Sequence, residues 1–225
     1  MLKIQFPAFT ASGKTADRMK PIRIKTVFFD IGGVLLNIHP ERTLHYWRTC
    51  TQATEEWLQT NIFDQAHHRY ERGELSDHEF YLEIKKLLPG KHTLAERDFW
   101  YGWGLLLGSE NGSSQLLHQL TTQTQVWLLS NTNSNHILQE AERRYTFFQA
   151  VQGKVYSYEV GYRKPQPEIF QIALQRAQTT PQASLFIDDM PANVEQARSM
   201  GFNTILFTNV EDLKKNLFKM GFNIV

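Results

Sequence analysis

Asp30 closes the apolar run Val27-Phe28-Phe29 and is followed at once by Ile31-Gly32-Gly33. A carboxylate at the end of a buried strand is a metal ligand, a nucleophile or a cap for the turn that follows. A second run, Leu185-Phe186-Ile187, ends in the adjacent carboxylates Asp188 and Asp189. Two neighbouring carboxylates in apolar surroundings repel each other unless a cation compensates, and hard oxygen donors of this kind, together with Asp30, suit Mg2+. Ser130-Asn131-Thr132-Asn133 follows Val126-Trp127-Leu128-Leu129, where a hydroxyl and an amide can donate hydrogen bonds to an oxyanion without adding charge. Lys164, held by the following Pro165 in Gly161-Tyr162-Arg163-Lys164-Pro165, is a fixed positive charge for a phosphate or a carboxylate. Taken singly, each cluster also reads as ordinary structure: a glycine turn, a polar loop, a solvated basic turn, a helix cap.

The elements that must carry these clusters are legible from periodicity. Strands are expected at Ile24 to Asp30, Val126 to Leu129, Gly153 to Tyr156, Ser184 to Ile187 and Thr204 to Phe207. Helices alternate with them. Ser113 or Ser114 caps one ending near Leu120, Asn135 to Arg144 forms another, and Pro167 opens one over Glu168 to Gln178. Pro191 to Met200 is ended by Gly201, and Thr208-Asn209-Val210-Glu211 caps the last helix. Alternation of this kind implies parallel βαβ units, so the polar clusters share the carboxyl edge of one sheet, where ligands bind. Between the first two strands the pattern is helical from Pro40 to about Leu107, with no strand in it. Helices are expected from Pro40, over Thr54 to Arg72, from the capping box Ser76-Asp77-His78-Glu79 to Pro89-Gly90, and over Thr93 to Leu107. That stretch is too long for an ordinary crossover and reads as an inserted helical lid beside Asp30. The fold class is thus α/β: a doubly wound parallel-sheet core over 22–37 and 109–225, with an all-helical insertion over 38–108.

Composition bounds the partners. The chain has 225 residues and a formal charge of +1, without a long same-sign run, so neither nucleic acid nor an anionic membrane is indicated. Cys50 is the only cysteine, which excludes an internal disulfide framework and fits a reducing, cytoplasmic setting. No apolar run approaches the roughly 18 residues that span a bilayer. Residues 1–21 read as a flexible extension rather than a secretory signal, with Met19 an alternative start. Gly13-Lys14-Thr15 resembles the end of a P-loop, but Ala8 stands at the first glycine and no strand precedes it, so the match is coincidental. Nothing in the sequence sets an oligomeric state.

The ordered set strand–Asp–x–Gly, strand–Ser–Asn, Arg–Lys–Pro and strand–Asp–Asp–x–x–x–Asn resembles the haloacid dehalogenase-like hydrolase superfamily from about Ile24 to Phe207. Residues 161–170 and 193–201 add family features, and the helical insertion resembles the family's C1-type cap. Asp30-Ile31-Gly32, Glu71 to Asp77 and Leu129 to Asn133 are most similar to bacterial members acting on α-D-glucose 1-phosphate. The resemblance implies a Mg2+-dependent phosphatase of small phosphorylated metabolites, sugar 1-phosphates among them. Asp30 is then the nucleophile that forms an aspartyl-phosphate. Asp30, the Gly32 carbonyl and Asp188 hold Mg2+, with Asp189 at or beside the metal. Ser130 and Asn131 bind the transferring phosphoryl group, and Lys164 neutralises charge beside Asp30. Asn193 orients the loop bearing the two carboxylates.

The chain departs from the family at Gly32, where most of its phosphatases carry a second Asp that protonates the leaving oxygen and later activates water. Glu71, Glu74, His67 and His68 of the insertion are candidate substitutes, and Glu71 and Trp103 are candidate substrate contacts. Trp47, Trp57 and Trp100 fit better as packing residues of the cap. Two other readings stand beside the phosphatase. A catalytically weak member binding a metabolite or a protein partner is kept open by Gly32. A metal-independent 2-haloacid dehalogenase is disfavoured by Gly32 and by the paired Asp188 and Asp189.

Overall fold

The computed structural model describes residues 23–62, 65–90 and 94–225. The expected extension over 1–21, with Gly13-Lys14-Thr15 and Met19, lies outside the described residues, as does the expected helix start at Thr93. Five strands form one parallel sheet: β1 (Thr26–Phe29), β4 (Gln125–Ser130), β5 (Gly153–Tyr156), β6 (Ser184–Asp188) and β7 (Asn203–Leu206), in the order β5-β4-β1-β6-β7. The central strand β1 is wholly buried because both of its faces are covered. Val27 and Phe29 point into one layer, with Leu116, Leu117 and Leu120 of α6 (Ser113–Thr121) and Leu213 and Leu217 of α12 (Val210–Lys219). Phe28 points into the other, with Ile169, Phe170 and Ala173 of α10 (Pro167–Arg176) and Ala197 of α11 (Pro191–Ser199). A strand buried on both faces loses the polar–apolar alternation, which is why VFF, VWLL and LFI read as continuous apolar runs. The chain moves from β1 to β4 and from β6 to β7 in opposite directions, so the order reverses between β1 and β6. At such a switch point the loops splay apart and leave a crevice at the carboxyl edge.

Two further short strands, β2 (Leu36–Ile38) and β3 (Leu107–Glu110), pair antiparallel where the chain leaves the core and returns to it. Neither strand is expected from the sequence, and β3 corrects the expectation of a helix continuing to Leu107. Strands of three and four residues carry no readable alternation and are made by their tertiary pairing. Between them lie α1 (Pro40–Cys50), α2 (Glu55–Ile62), α3 (Gln65–Glu71), α4 (Asp77–Leu87) and α5 (Glu96–Gly104). The single helix expected over Thr54 to Arg72 is described as α2 and α3, with 63–64 outside the described residues. Ser76 and Glu79 form the expected capping box on α4. The cap has its own core, in which Trp47 stacks on Phe99 at 4.7 Å and on Trp103 at 5.9 Å. At α6 the cap differs from expectation, since the Asn111 side chain, not Ser113 or Ser114, accepts from the Ser113 amide at 2.9 Å. After β4 the expected helix opens as a π-helix, Asn135–Ala141, and continues as α7 (Glu142–Arg144), and the short helices α8 (Phe147–Ala150) and α9 (Ser157–Val160) flank β5.

Candidate active site

The strand ends converge. The Asp30 amide donates to the Ile187 carbonyl at 2.9 Å, so the pairing of β1 with β6 sets Asp30 beside Asp188. Gly33 adopts φ +79°, and a Cβ there would lie 2.2 Å from Asp189 Oδ2. Glycine is therefore required at residue 33 both for its backbone and for the close approach of the Asp189 carboxylate. Asp30, Asp188 and Asp189 each offer an oxygen within 4.8 Å of the others.

Lys164 is the buried counter-charge, only 2% exposed. Its Nζ lies 2.8 Å from Asp30 Oδ1 and donates to Asp188 Oδ2 at 2.6 Å and to the Leu129 carbonyl at 2.8 Å. Burial works against its charge, but Asp188 and Asp30 outweigh that and raise its pKa. Burial pushes the Asp30 carboxyl up to about 7; Lys164 opposes this, and Asp188 and Asp189 add to it. Asp189 is likewise raised, by burial and then by Asp188. Among the described residues three clustered carboxylates thus have one buried lysine beside them, paired with two of the three, a donor set that calls for a further cation.

The two aspartates at the end of β6 are not equivalent. Asp188 is fully buried and accepts from Lys164, from the Met190 amide at 2.8 Å and from Asn193 Nδ2 at 3.0 and 3.1 Å. Asp189 lines the cavity, and Asp188 does not. Asn131 also differs from expectation. Its Nδ2 donates to the Lys164 carbonyl at 2.9 Å and its Oδ1 accepts from the Lys164 amide at 2.7 Å, so the side chain clamps the lysine's backbone. Ser130, 2% exposed, stands on the cavity wall next to it.

These groups line a cavity of about 350 Å³ between core and cap. Asp30, Gly32, Ser130, Asn131, Lys164 and Asp189 form its floor, and His67 and Glu71 reach it from α3. Glu74 and His68 do not line it, and Glu74 bonds instead to Arg72 and Arg69. Trp103 is corrected as a substrate contact: it is fully buried in the cap core and stacks on His136 at 5.0 Å. Trp47 is also fully buried, while Trp57 and Trp100 pack against the same cluster. His136 itself lines the cavity, but Nε2 donates to the Trp103 carbonyl at 3.1 Å, which leaves Nδ1 to accept from Asn133 at 3.3 Å. Burial pushes His136 down to about 4, so it stays neutral.

Several neighbours were not anticipated from the sequence: His136, Ile38, and the pairing of Arg163 with Glu71 at 2.6 Å. Ile38 matters because its Cγ1 lies 3.3 Å from where a Cβ on Gly32 would stand. Glu71 and Arg163 are 92 positions apart, and no local pattern joins them.

The haloacid dehalogenase-like hydrolase family matches residues 24–201. Over 209 residues the chain is 27% identical to a D-ribitol-5-phosphate phosphatase of Bacteroides thetaiotaomicron, covering 86% of this chain and 97% of that one. A sesquiterpene phosphatase of Aspergillus oryzae is 27% identical over 79% of this chain and 86% of its own. Among solved structures, a haloacid dehalogenase family enzyme of Bacteroides thetaiotaomicron, in complex with magnesium and inorganic phosphate, is similar with a TM-score of 0.73. It is 27% identical and covers 84% of this chain and 98% of that one. The family match takes in all four polar clusters and the parallel sheet that gathers them, and the chain belongs to the haloacid dehalogenase-like hydrolases.

Proposed function

We propose that the protein is a Mg2+-dependent phosphatase of small phosphorylated metabolites that works through an aspartyl-phosphate on Asp30. The observation that carries this reading is the cluster at the base of the cavity, where three carboxylates lie within 4.8 Å of one another and one buried lysine pairs with two of them. The name of the D-ribitol-5-phosphate phosphatase and the magnesium and phosphate bound by the solved relative support it.

Asp30, the Gly32 carbonyl and Asp189 are the groups that would hold Mg2+. Asp188, whose oxygens are taken up by Lys164, Asn193 and the Met190 amide, instead positions the lysine and the loop. Bound there, Mg2+ would supply the charge neutralisation that lets a carboxylate approach a phosphate dianion. Asp30 attacks phosphorus as the ester P–O bond breaks, and the departing oxygen takes its proton from solvent to leave as the alcohol. Ser130 Oγ donates to a phosphoryl oxygen, while Asn131 acts on the lysine's backbone. Lys164 balances the charge that moves off Asp30. Water then opens the aspartyl-phosphate.

Gly32 has no side chain to take that water's proton. Of the four cap candidates only His67 and Glu71 line the cavity, and Glu71 is held by Arg163. Burial lowers the His67 pKa; Glu71 opposes this, and Arg163 and His68 reinforce it, so the ring stands in its basic, neutral form. His67 is therefore the assigned base.

Sugar 1-phosphates and the alditol phosphate in the relative's name both belong to the class proposed, small hydroxylated phosphate esters. The test is release of phosphate from p-nitrophenyl phosphate with Mg2+. Activity should vanish with EDTA and in Asp30→Asn, and activity that survives either one refutes the mechanism.

A further inference from the structure

Resting on the phosphatase reading, we infer that Glu71 is a specificity-determining residue that restricts the site to esters whose leaving alcohol carries no charge. The cavity carries His67 and Glu71 of α3 at its cap end. Among the described residues lining it, Lys164 is the only fixed cation, and it is already committed to Asp30, Asp188 and the Leu129 carbonyl. Glu71 projects from α3 with a side chain 8% exposed. Arg163 holds its Oε2 at 2.6 Å, yet Arg163 is not itself part of the cavity wall. The other oxygen, Oε1, stands 3.6 Å from His67 Nε2.

A substrate reaching this end therefore meets a carboxylate and a neutral imidazole. A hydroxyl can donate to Glu71 Oε1, a charge-assisted hydrogen bond that a low-dielectric pocket strengthens. A second carboxylate or phosphate on the substrate would instead face Glu71, with the neighbouring cation, Arg163, already bound to Glu71 and outside the cavity wall, and like charges juxtaposed in a buried site are strongly disfavoured. Among the described residues the only aromatic rings lining the cavity are the imidazoles of His67 and His136, and no tryptophan, tyrosine or phenylalanine joins them. Trp103 is buried behind His136, and both His136 nitrogens are engaged. The site is thus built to accept hydroxyls and to reject anions at the leaving-group end.

Glycerol 3-phosphate and 3-phosphoglycerate make a matched pair, differing at the far carbon by a hydroxymethyl against a carboxylate. The wild-type protein with Mg2+ should favour glycerol 3-phosphate in kcat/KM by about 10- to 100-fold, the range of a charge-assisted hydrogen bond gained or lost. Glu71→Gln keeps an oxygen for Arg163 and removes the charge, and should cut that preference by about tenfold or more. p-Nitrophenyl phosphate, run alongside, separates the two claims, since loss of its Mg2+-dependent hydrolysis would count against the phosphatase reading itself. The rise in melting temperature of the Mg2+-loaded protein with each compound reads the preference without turnover. Equal handling of the pair by wild type overturns the inference, as does a preference untouched by Glu71→Gln. The wild-type comparison stands even if the variant does not fold.

Discussion

In the proposed mechanism Gly32 stands where a proton must move, and the space around it is tight for a side chain. A Cβ at residue 32 would meet Ile38 Cγ1 at 3.3 Å and Cδ1 at 3.4 Å, a tight approach to which the isoleucine side chain must yield by a few tenths of an ångström. The backbone of Gly32 is not in the left-handed region, so space rather than torsion is the obstacle. Gly32→Asp alone should therefore gain little. Combined with Ile38→Ala it should raise kcat/KM on an alkyl phosphate by about tenfold or more, against the roughly 10²–10⁴-fold that a placed acid–base group contributes. p-Nitrophenyl phosphate, whose leaving group needs no proton, should change far less. Steady-state kinetics on the two substrates separate these effects. His67→Gln should show the complementary pattern in single-turnover work: release of p-nitrophenol persists while breakdown of the aspartyl-phosphate slows.

Among the elements, the cap is tied to the core beside the loop after β4 and beside Lys164. Asp77, at the start of α4, accepts from Ser134 at 2.9 Å and from Asn135 at 3.4 Å, just beyond Ser130 and Asn131. Tyr70 of α3 donates to the same carboxylate at 2.7 Å. Glu71 of α3 reaches Arg163, the neighbour of Lys164. Between these ties, the turn after α3 lies against the core backbone: Gly73 has φ +69°, and a Cβ there would stand 2.3 Å from the Tyr158 carbonyl. Gly73→Ala is expected to lift the cap off that carbonyl. It should cost about 1 kcal/mol or more of stability, because alanine fits neither the torsion nor the gap. KM should rise and kcat fall together, since α3 carries both Glu71 of the cavity wall and His67, the assigned base. Denaturant melts and kinetics on one preparation check both expectations.

For the whole molecule, folding brings three carboxylates together at the sheet edge, and that has a pH signature. The Asp30 carboxyl, ordinarily near 3.8, is raised to about 7 in the fold. The folded state therefore holds this proton more tightly than the unfolded chain does. Metal-free protein should lose stability as pH rises from about 4 towards 7, the window between the two values. A divalent cation competes with the proton for the same oxygens, so the gain in melting temperature from saturating Mg2+ should be small near pH 5, increase through pH 7 and level off above it. Melting scans with and without Mg2+ across that range test this. A gain that shrinks with pH would contradict the carboxylate cluster as the metal site. Among the described residues no helix is long and apolar enough to cross a membrane.

Local sequence determined which residues reach the catalytic edge. A buried parallel strand writes itself as an unbroken apolar run, so the polar residue ending each run is marked without knowledge of its neighbours. Asp30, Ser130, Asp188 and Asp189 were placed in this way, and Lys164 by the proline after it and the family pattern around it. Tertiary structure alone decided how those residues divide the work. Asp188 and Asp189 are chemically identical neighbours; only the positions of Lys164, Asn193 and Gly33 turn one into a buried anchor and leave the other on the cavity wall. Asn131 clamps a lysine 33 positions away, and Glu71 finds Arg163 at 92. Trp103 faces the cap core rather than the cavity, and β2 and β3 exist through each other. Hydrogen bonds and charge pairs of that kind are completed by groups far apart in the chain, so no local period or spacing announces them.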